Sequence, residues 1–338
     1  MKKVVIKCSV ILALWCAGPA LGMAEKVADL SQIDKPQGIA IDKHQLYITQ
    51  QATVFIFSLK DYQLTKKFGR KGQGPREFAV RPYRPLQIDV STDVIIVNSL
   101  GKISYFTKQG EFLREVRAKS LALTLRPFEE GFIGWSQATD RGIIYATINI
   151  YDGRLNRLKE IYRMPDAFQG PGKGYHILHQ VFVYQALGKN ILIPGRDDAS
   201  LRIISKDLKE LVTLRVRQKR RRVSQDFKGK MIRFIRDSPE TKEVYPRIKP
   251  LIFPAYYPVI QNFFVDNDLI YIQTWKSGAE GDEFHIFNLN GQLVKKINLP
   301  IRYETDLKAF PILIQDGTLY QLVENGTTEV WEFHRSRI

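Results

Sequence analysis

Cysteine is almost missing from this chain: Cys8 and Cys16 are the only two in 338 residues. Both lie in a segment that reads as a cleavable leader. The expected mature chain therefore has no thiol, which excludes disulfides, thiolate metal sites and cysteine nucleophiles together. Histidine is scarce as well, limited to His44, His176, His179, His285 and His334. Acidic residues are in deficit. Lys and Arg number 51 against 35 Asp and Glu, a formal charge of +16, which favours anionic partners by steering without marking a site. A Pro/Gly/Ser-rich linker near the middle is also lacking, so two tethered domains are not indicated.

The N-terminal apolar run, Cys8 to Leu21, falls short of the ~20 residues a helix needs to cross a bilayer, and Gly18-Pro19 breaks it. Lys2, Lys3 and Lys7 precede it and Gly22-Met23-Ala24 follow. That is the layout of a secretory signal. Residues 1–24 are expected to be the signal peptide, leaving 25–338 as an exported domain, periplasmic or secreted, with no membrane span. Without the three leader lysines its charge is +13. The alternative is a lipoprotein anchored through an acylated Cys16, but bulky Trp15 stands where that signal wants a small residue.

What is present is a repeat. An aromatic or aliphatic residue ends one strand, a polar turn follows, and a charged strand comes next. The pattern runs from Phe57, Phe106, Tyr151, Ile204 and Phe287, and a truncated sixth copy starts at Phe333. The intervals are 49, 45, 53, 83 and 46 residues, with an earlier β-rich run upstream of each anchor. About four strands per unit of this length describes a propeller blade. The fold class expected is all-β, a six-bladed β-propeller with four-stranded blades. The last unit lacks residues for an outer strand, and Lys26 to Ile33 has no blade of its own. It is expected to close the ring there.

The long interval places a helical insertion in blade five, at about 218–250. Ser224 is a plausible N-cap, Phe227, Met231, Phe234 and Ile235 form one apolar face, and Ser238-Pro239 ends the helix. Just before it, Arg215, Arg217, Lys219, Arg220, Arg221 and Arg222 crowd into eight positions. They read either as a solvated strand end or as a contact for an anionic partner such as an acidic glycan or charged surface. The run lacks the interleaved aromatics of a single-strand nucleic-acid platform, and no nucleic-acid partner is expected.

The stretch FGRKGQGPREF, Phe68 to Phe78, invites a phosphate-loop reading. Gly69 and Gly74 have the right separation, but Pro75-Arg76 stand where Lys and Ser or Thr are required. On the repeat, this stretch joins blade one to blade two. Gly69, Gly72, Gly74, Pro75 and Phe78 read as a structural junction motif, and Gly170-Pro171 recurs at the next equivalent junction but one. KKFGRKGQGPREF, followed by Pro85-LQID, resembles the NHL-type repeat and an exported bacterial six-bladed propeller family, NHL-repeat-like or TolB-like. The resemblance covers residues 25 to 338. It implies the fold, an exported setting, and a binding or scaffold role.

Related propellers include metal-dependent lactonase-like hydrolases and lyases, whose sites need acidic, Asn or His ligands converging on the channel. His176 and His179 are the weak metal candidates here, and ordinary polar histidines are the simpler reading. Asp197-Asp198, Asp266 to Asp268 and Glu280 to Glu283 read as hairpin tips. No catalytic residue and no cofactor are expected. The reading is a non-catalytic module for protein, peptide or anionic glycan partners, with a lactonase-like enzyme as the alternative.

Overall fold

The computed structural model describes residues 24–81, 84–118, 122–179, 184–305 and 307–338, so the expected signal peptide lies outside it apart from Ala24. Six four-stranded antiparallel sheets form the blades of a propeller, five of them ordered from inside to outside as in sequence. Five span 38–68, 87–117, 122–165, 185–215 and 260–299. The sixth combines strands within 312–337 with Glu25–Leu30 as its outer strand.

Burial follows from this arrangement. Neighbouring blades cover both faces of the middle strands, so these carry continuous rather than alternating buried residues: Leu46, Tyr47, Ile48 and Thr49 are all buried. Outer strands such as Leu64–Phe68 have little covering and carry lysine. Six hydrophobic clusters result, one at each interface between adjacent blades.

The ring is closed by the N-terminal strand, as the missing outer strand predicted. Glu25–Leu30 pairs antiparallel with Trp331–Arg337, bringing Leu30 opposite Trp331. Leu30 and Ile33 enter the same core as Trp331 and Phe333, and the Trp331 indole N–H donates to the Asp34 carbonyl at 2.5 Å.

The six repeat anchors all lie on third strands and none is more than 4% exposed. Their recurrence has a backbone cause. In blades one to five the outer strand carries one extra residue opposite the anchor and its predecessor: Thr65, Leu113, Leu158, Leu211 and Val294. The closing strand has the same irregularity one pair along, around Val27. A bulge on an edge strand disturbs its free ladder and discourages pairing with another molecule, which an outward-facing ring of edges requires.

The insertion leaves after Arg215 and returns at Ile260. It lies at the entrance to blade five, and its stem extends it beyond the expected 218–250. Helix α1, Gln225–Asp237, starts and stops where the spacing predicts. Ser224 accepts the Phe227 N–H, and Ser238 is its C-cap. A short helix α2, Tyr245–Ile248, follows. The base is a backbone neck in which the Val223 N–H donates to Ala255 and the Tyr257 N–H to Arg221. Of the four residues expected on the apolar face of α1, only Ile235 is fully buried. The helix lies across the propeller surface and is not embedded in it.

Candidate functional site

Every connection from the outer strand of one blade to the inner strand of the next lies on the same face of the propeller, together with the turns between second and third strands. Three cavities open among these connections.

The first, of about 600 Å³, sits beside the inner strands of blades two and three. Arg84 and Pro85 reach it from the first junction, Asp166, Phe168 and Tyr175 from the third, and Ile235, Thr241, Val244, Arg247 and Ile248 from the insertion. Trp135 forms a wall, with the Arg84 guanidinium 5.3 Å from its ring centre. Trp135 is anchored through its backbone. Its backbone N–H donates to the Tyr184 hydroxyl, which donates in turn to the Thr124 carbonyl, and burial raises the pKa of that phenol. Asp166 is buried and already engaged, accepting from the Gln137 amide at 3.1 Å and the Phe168 N–H at 2.8 Å. Ser99 lines the same cavity at 4% exposure, and its Oγ has no hydrogen-bond partner among the described residues. Along the channel, Ile88 and Val90 pack into the blade-one interface, leaving Asp89 towards blade three. Burial raises the Asp89 pKa, and Arg126 on the next inner strand opposes that rise.

The glycine-rich stretch lies at the blade-one to blade-two junction, and its own side chain occupies the glycine turn. The Gly74 N–H donates to Glu77 Oε2 at 2.8 Å, and Arg70 pairs with Glu77 Oε1 at 2.8 Å. That carboxylate stands where a phosphate would have to enter. Buried Lys102 pins the turn from blade two, donating to the carbonyls of Gly74 at 3.0 Å and Glu77 at 2.6 Å. Gly69 has φ +91°, and a Cβ there would collide with the Phe78 ring and stand 2.7 Å from the Ala52 carbonyl. At the third junction, Gly174 (φ +82°) lets the Pro250 carbonyl approach to where a Cβ would be 2.6 Å away. There Tyr175–His176 pairs in parallel with Leu251–Ile252, which ties this junction to the insertion.

His176 and His179 line the second cavity, about 380 Å³, with ring centres 6.3 Å apart. His179 Nε2 faces the Pro165 carbonyl at 2.8 Å, where it acts as a donor rather than a ligand. Among the described residues, no group of three His, Cys, Asp or Glu is placed to hold a metal. Asp197 and Asp198 share this cavity, and they are partners of the basic run: Arg215 meets Asp197 at 2.8 Å and Arg220 meets Asp198 at 2.6 Å. The Ser200 hydroxyl, then Arg215, hold the Asp197 carboxyl below its usual pKa. Arg217, Lys219, Arg221 and Arg222 are exposed and make no ion pair with a described residue. Sequence reasoning saw the two aspartates only as a hairpin tip, since nothing in their spacing ties them to arginines some twenty residues on.

No family model matches the chain, and no curated protein does. Among solved structures, it is similar to a member of the DUF4221 family from Bacteroides vulgatus, at 13% identity over 94% of this chain and 97% of that one, with a TM-score of 0.51. The likeness is one of fold. A luciferin-regenerating enzyme matches at 10% identity over 94% and 95% of the two chains, TM-score 0.48. BamB from Moraxella catarrhalis matches at 12% over 89% and 71%, TM-score 0.35. The NHL-like resemblance therefore rests on the junction motif alone.

Proposed function

We propose that this chain is an exported propeller that binds, without catalysis, a peptide segment carrying an apolar side chain next to an acidic one. The reading is supported by one observation above others: three inter-blade connections, distant in sequence, meet around a single cavity of about 600 Å³. Concave, mostly apolar cavities of this size with a few convergent polar groups are where ligands bind. Trp135, Phe168, Tyr175 and Ile235 suit an apolar side chain, while Arg247 suits a carboxylate. Export rests on the leader-like pattern of residues 2 to 24.

The test is selection of random dodecapeptides against the purified protein, with Val244→Trp as counter-target because an indole there intrudes on the cavity. Enriched peptides should carry an apolar-acidic pair and lose at least tenfold in affinity for the variant, since the indole displaces an apolar side chain whose burial is worth about 1.5–3 kcal/mol and 1.4 kcal/mol is tenfold. Peptides that bind both proteins equally would refute the assignment.

A further inference from the structure

Between the neck of the insertion and blade five lies the third cavity, of about 570 Å³. Lys219, Arg220, Arg221 and Arg222 line it from the neck and Lys276 from the end of a blade-five strand, and no carboxylate lines it. Two of these cations are neutralised from outside, Arg220 by Asp198 and Lys276 by Glu283 at 2.8 Å. Lys219, Arg221 and Arg222 keep their charge unbalanced. Arg221 is held over the Tyr257 ring at 4.7 Å, on the wall of this cavity, while Arg222 stacks over Tyr256 at 5.7 Å, a ring that lines the second cavity.

Two of its lining residues also carry unanswered polar atoms. Trp275 Nε1 and Gln218 Oε1 are buried and have no hydrogen-bond partner among the described residues. A buried donor left unmade costs about 1–3 kcal/mol, so a folded protein rarely leaves one without a use. An indole N–H can only donate, and a glutamine amide can turn its NH₂ inward, so both groups can serve an oxygen-rich anion. The aromatic faces are not on offer. Tyr257 is 4% exposed, packed by Phe227 at 5.0 Å, Trp275 at 4.8 Å and Arg221, so a base or sugar ring cannot stack there. What the cavity offers is positive charge unopposed by a lining carboxylate, with a buried, unpartnered N–H on one of its lining residues.

From this geometry we infer a second ligand site, an oxyanion pocket that takes a sulfate or phosphate group, either free or as the ester of a small saccharide. The group would accept from Trp275 Nε1 and sit among Lys219, Arg221 and Arg222. The pocket is separate from the central cavity and does not depend on the peptide reading.

Titration calorimetry near 0.15 M ionic strength tests it, with sodium sulfate, sodium phosphate, a sulfated disaccharide and its unsulfated form as titrants. The sulfate- or phosphate-bearing titrants should saturate one site, and the unsulfated sugar should be silent. Binding of the inorganic ions alone identifies a free dianion; binding of the sulfated sugar as well identifies the ester. Arg221→Gln with Arg222→Gln, and Trp275→Phe separately, should each weaken binding at least tenfold, because hydrogen bonds to charged groups are worth about 1.5–3 kcal/mol. Lys66→Gln with Lys67→Gln, an equal charge loss on the exposed outer strand of blade one, should leave it unchanged. Lys219→Gln, at an exposed position with no ion pair, serves if the neck variant does not fold. Equal weakening by both double variants, wild-type binding by Trp275→Phe, or a single-stranded oligonucleotide outcompeting every small anion would overturn the proposal, the last by making the patch a polyelectrolyte surface.

Discussion

Replacing Glu332 by glutamine probes how the ring is held shut. Glu332 lies on the third strand of blade six, opposite Asp29 of the closing strand. Its Oε1 meets Lys26 Nζ at 3.0 Å and accepts from the Asn325 amide at 2.8 Å, and its Oε2 lies 2.8 Å from His334 Nε2. Burial pushes the carboxyl pKa up, but the hydrogen bonds from Asn325, His334 and Lys26 outweigh it and hold the group at about 2, against an ordinary 4.5. At about 1.4 kcal/mol per pKa unit, the ionised form favours the closed ring by roughly 3 kcal/mol, an upper figure because the Lys26 side chain is half-exposed. The folded pKa is depressed, so this contribution is complete above pH 4.5 and fades as pH falls towards 2. Glu332→Gln should therefore unfold about 1–3 kcal/mol more easily at pH 7 in denaturant titrations followed by tryptophan fluorescence. The gap should close progressively below pH 4.5. A gap of the same size at pH 3 and pH 7, or none at pH 7, would show that the carboxylate does not hold the closing strand.

Gly69→Ala forces a side chain into a positive-φ site against the Phe78 ring, and should cost upwards of about 2 kcal/mol from strain and overlap together. Adding Phe78→Leu should recover part of that loss in a double-mutant cycle; strict additivity would show that the two do not touch. Lys102→Met removes a buried cation from the Gly74 and Glu77 carbonyls and from Glu115, and should destabilise by about 3 kcal/mol, with faster hydrogen exchange at 72–77. Exchange at 72–77 unaltered from wild type would show that Lys102 does not pin the turn. After expression in a secreting host, N-terminal sequencing should begin at Glu25, whereas a lipid-modified Cys16 would replace that reading with the lipoprotein one.

The propeller was legible because its repeat is local. Phe57, Phe106, Tyr151, Ile204 and Phe287 each fall at or next to the end of a buried third strand, and the bulge opposite them recurs at a fixed offset that spacing records; Phe333 instead sits near the start of its strand, Trp331–Arg337. The helix bounds were legible for the same reason: Ser224 and Ser238-Pro239 act on their own neighbours. The cavities were not. Trp135 and Ile235 face one cavity from positions a hundred residues apart, and only the crossing of α1 over the junction face brings them together. The glycine-rich stretch could be refused as a phosphate loop from its missing lysine and hydroxyl, but that Glu77 fills the turn depends on a side-chain direction no spacing reports. Trp275 and Gln218, likewise, carry no motif. Only their burial without partners singles them out.

Hydrogen–deuterium exchange, with and without a peptide enriched in the selection, tests the central cavity most directly. Protection at 84–87 and 235–248 together, with the outer strands unaffected, is the predicted result. Protection confined to the outer strands, or absent from 235–248 at saturating peptide, would contradict it.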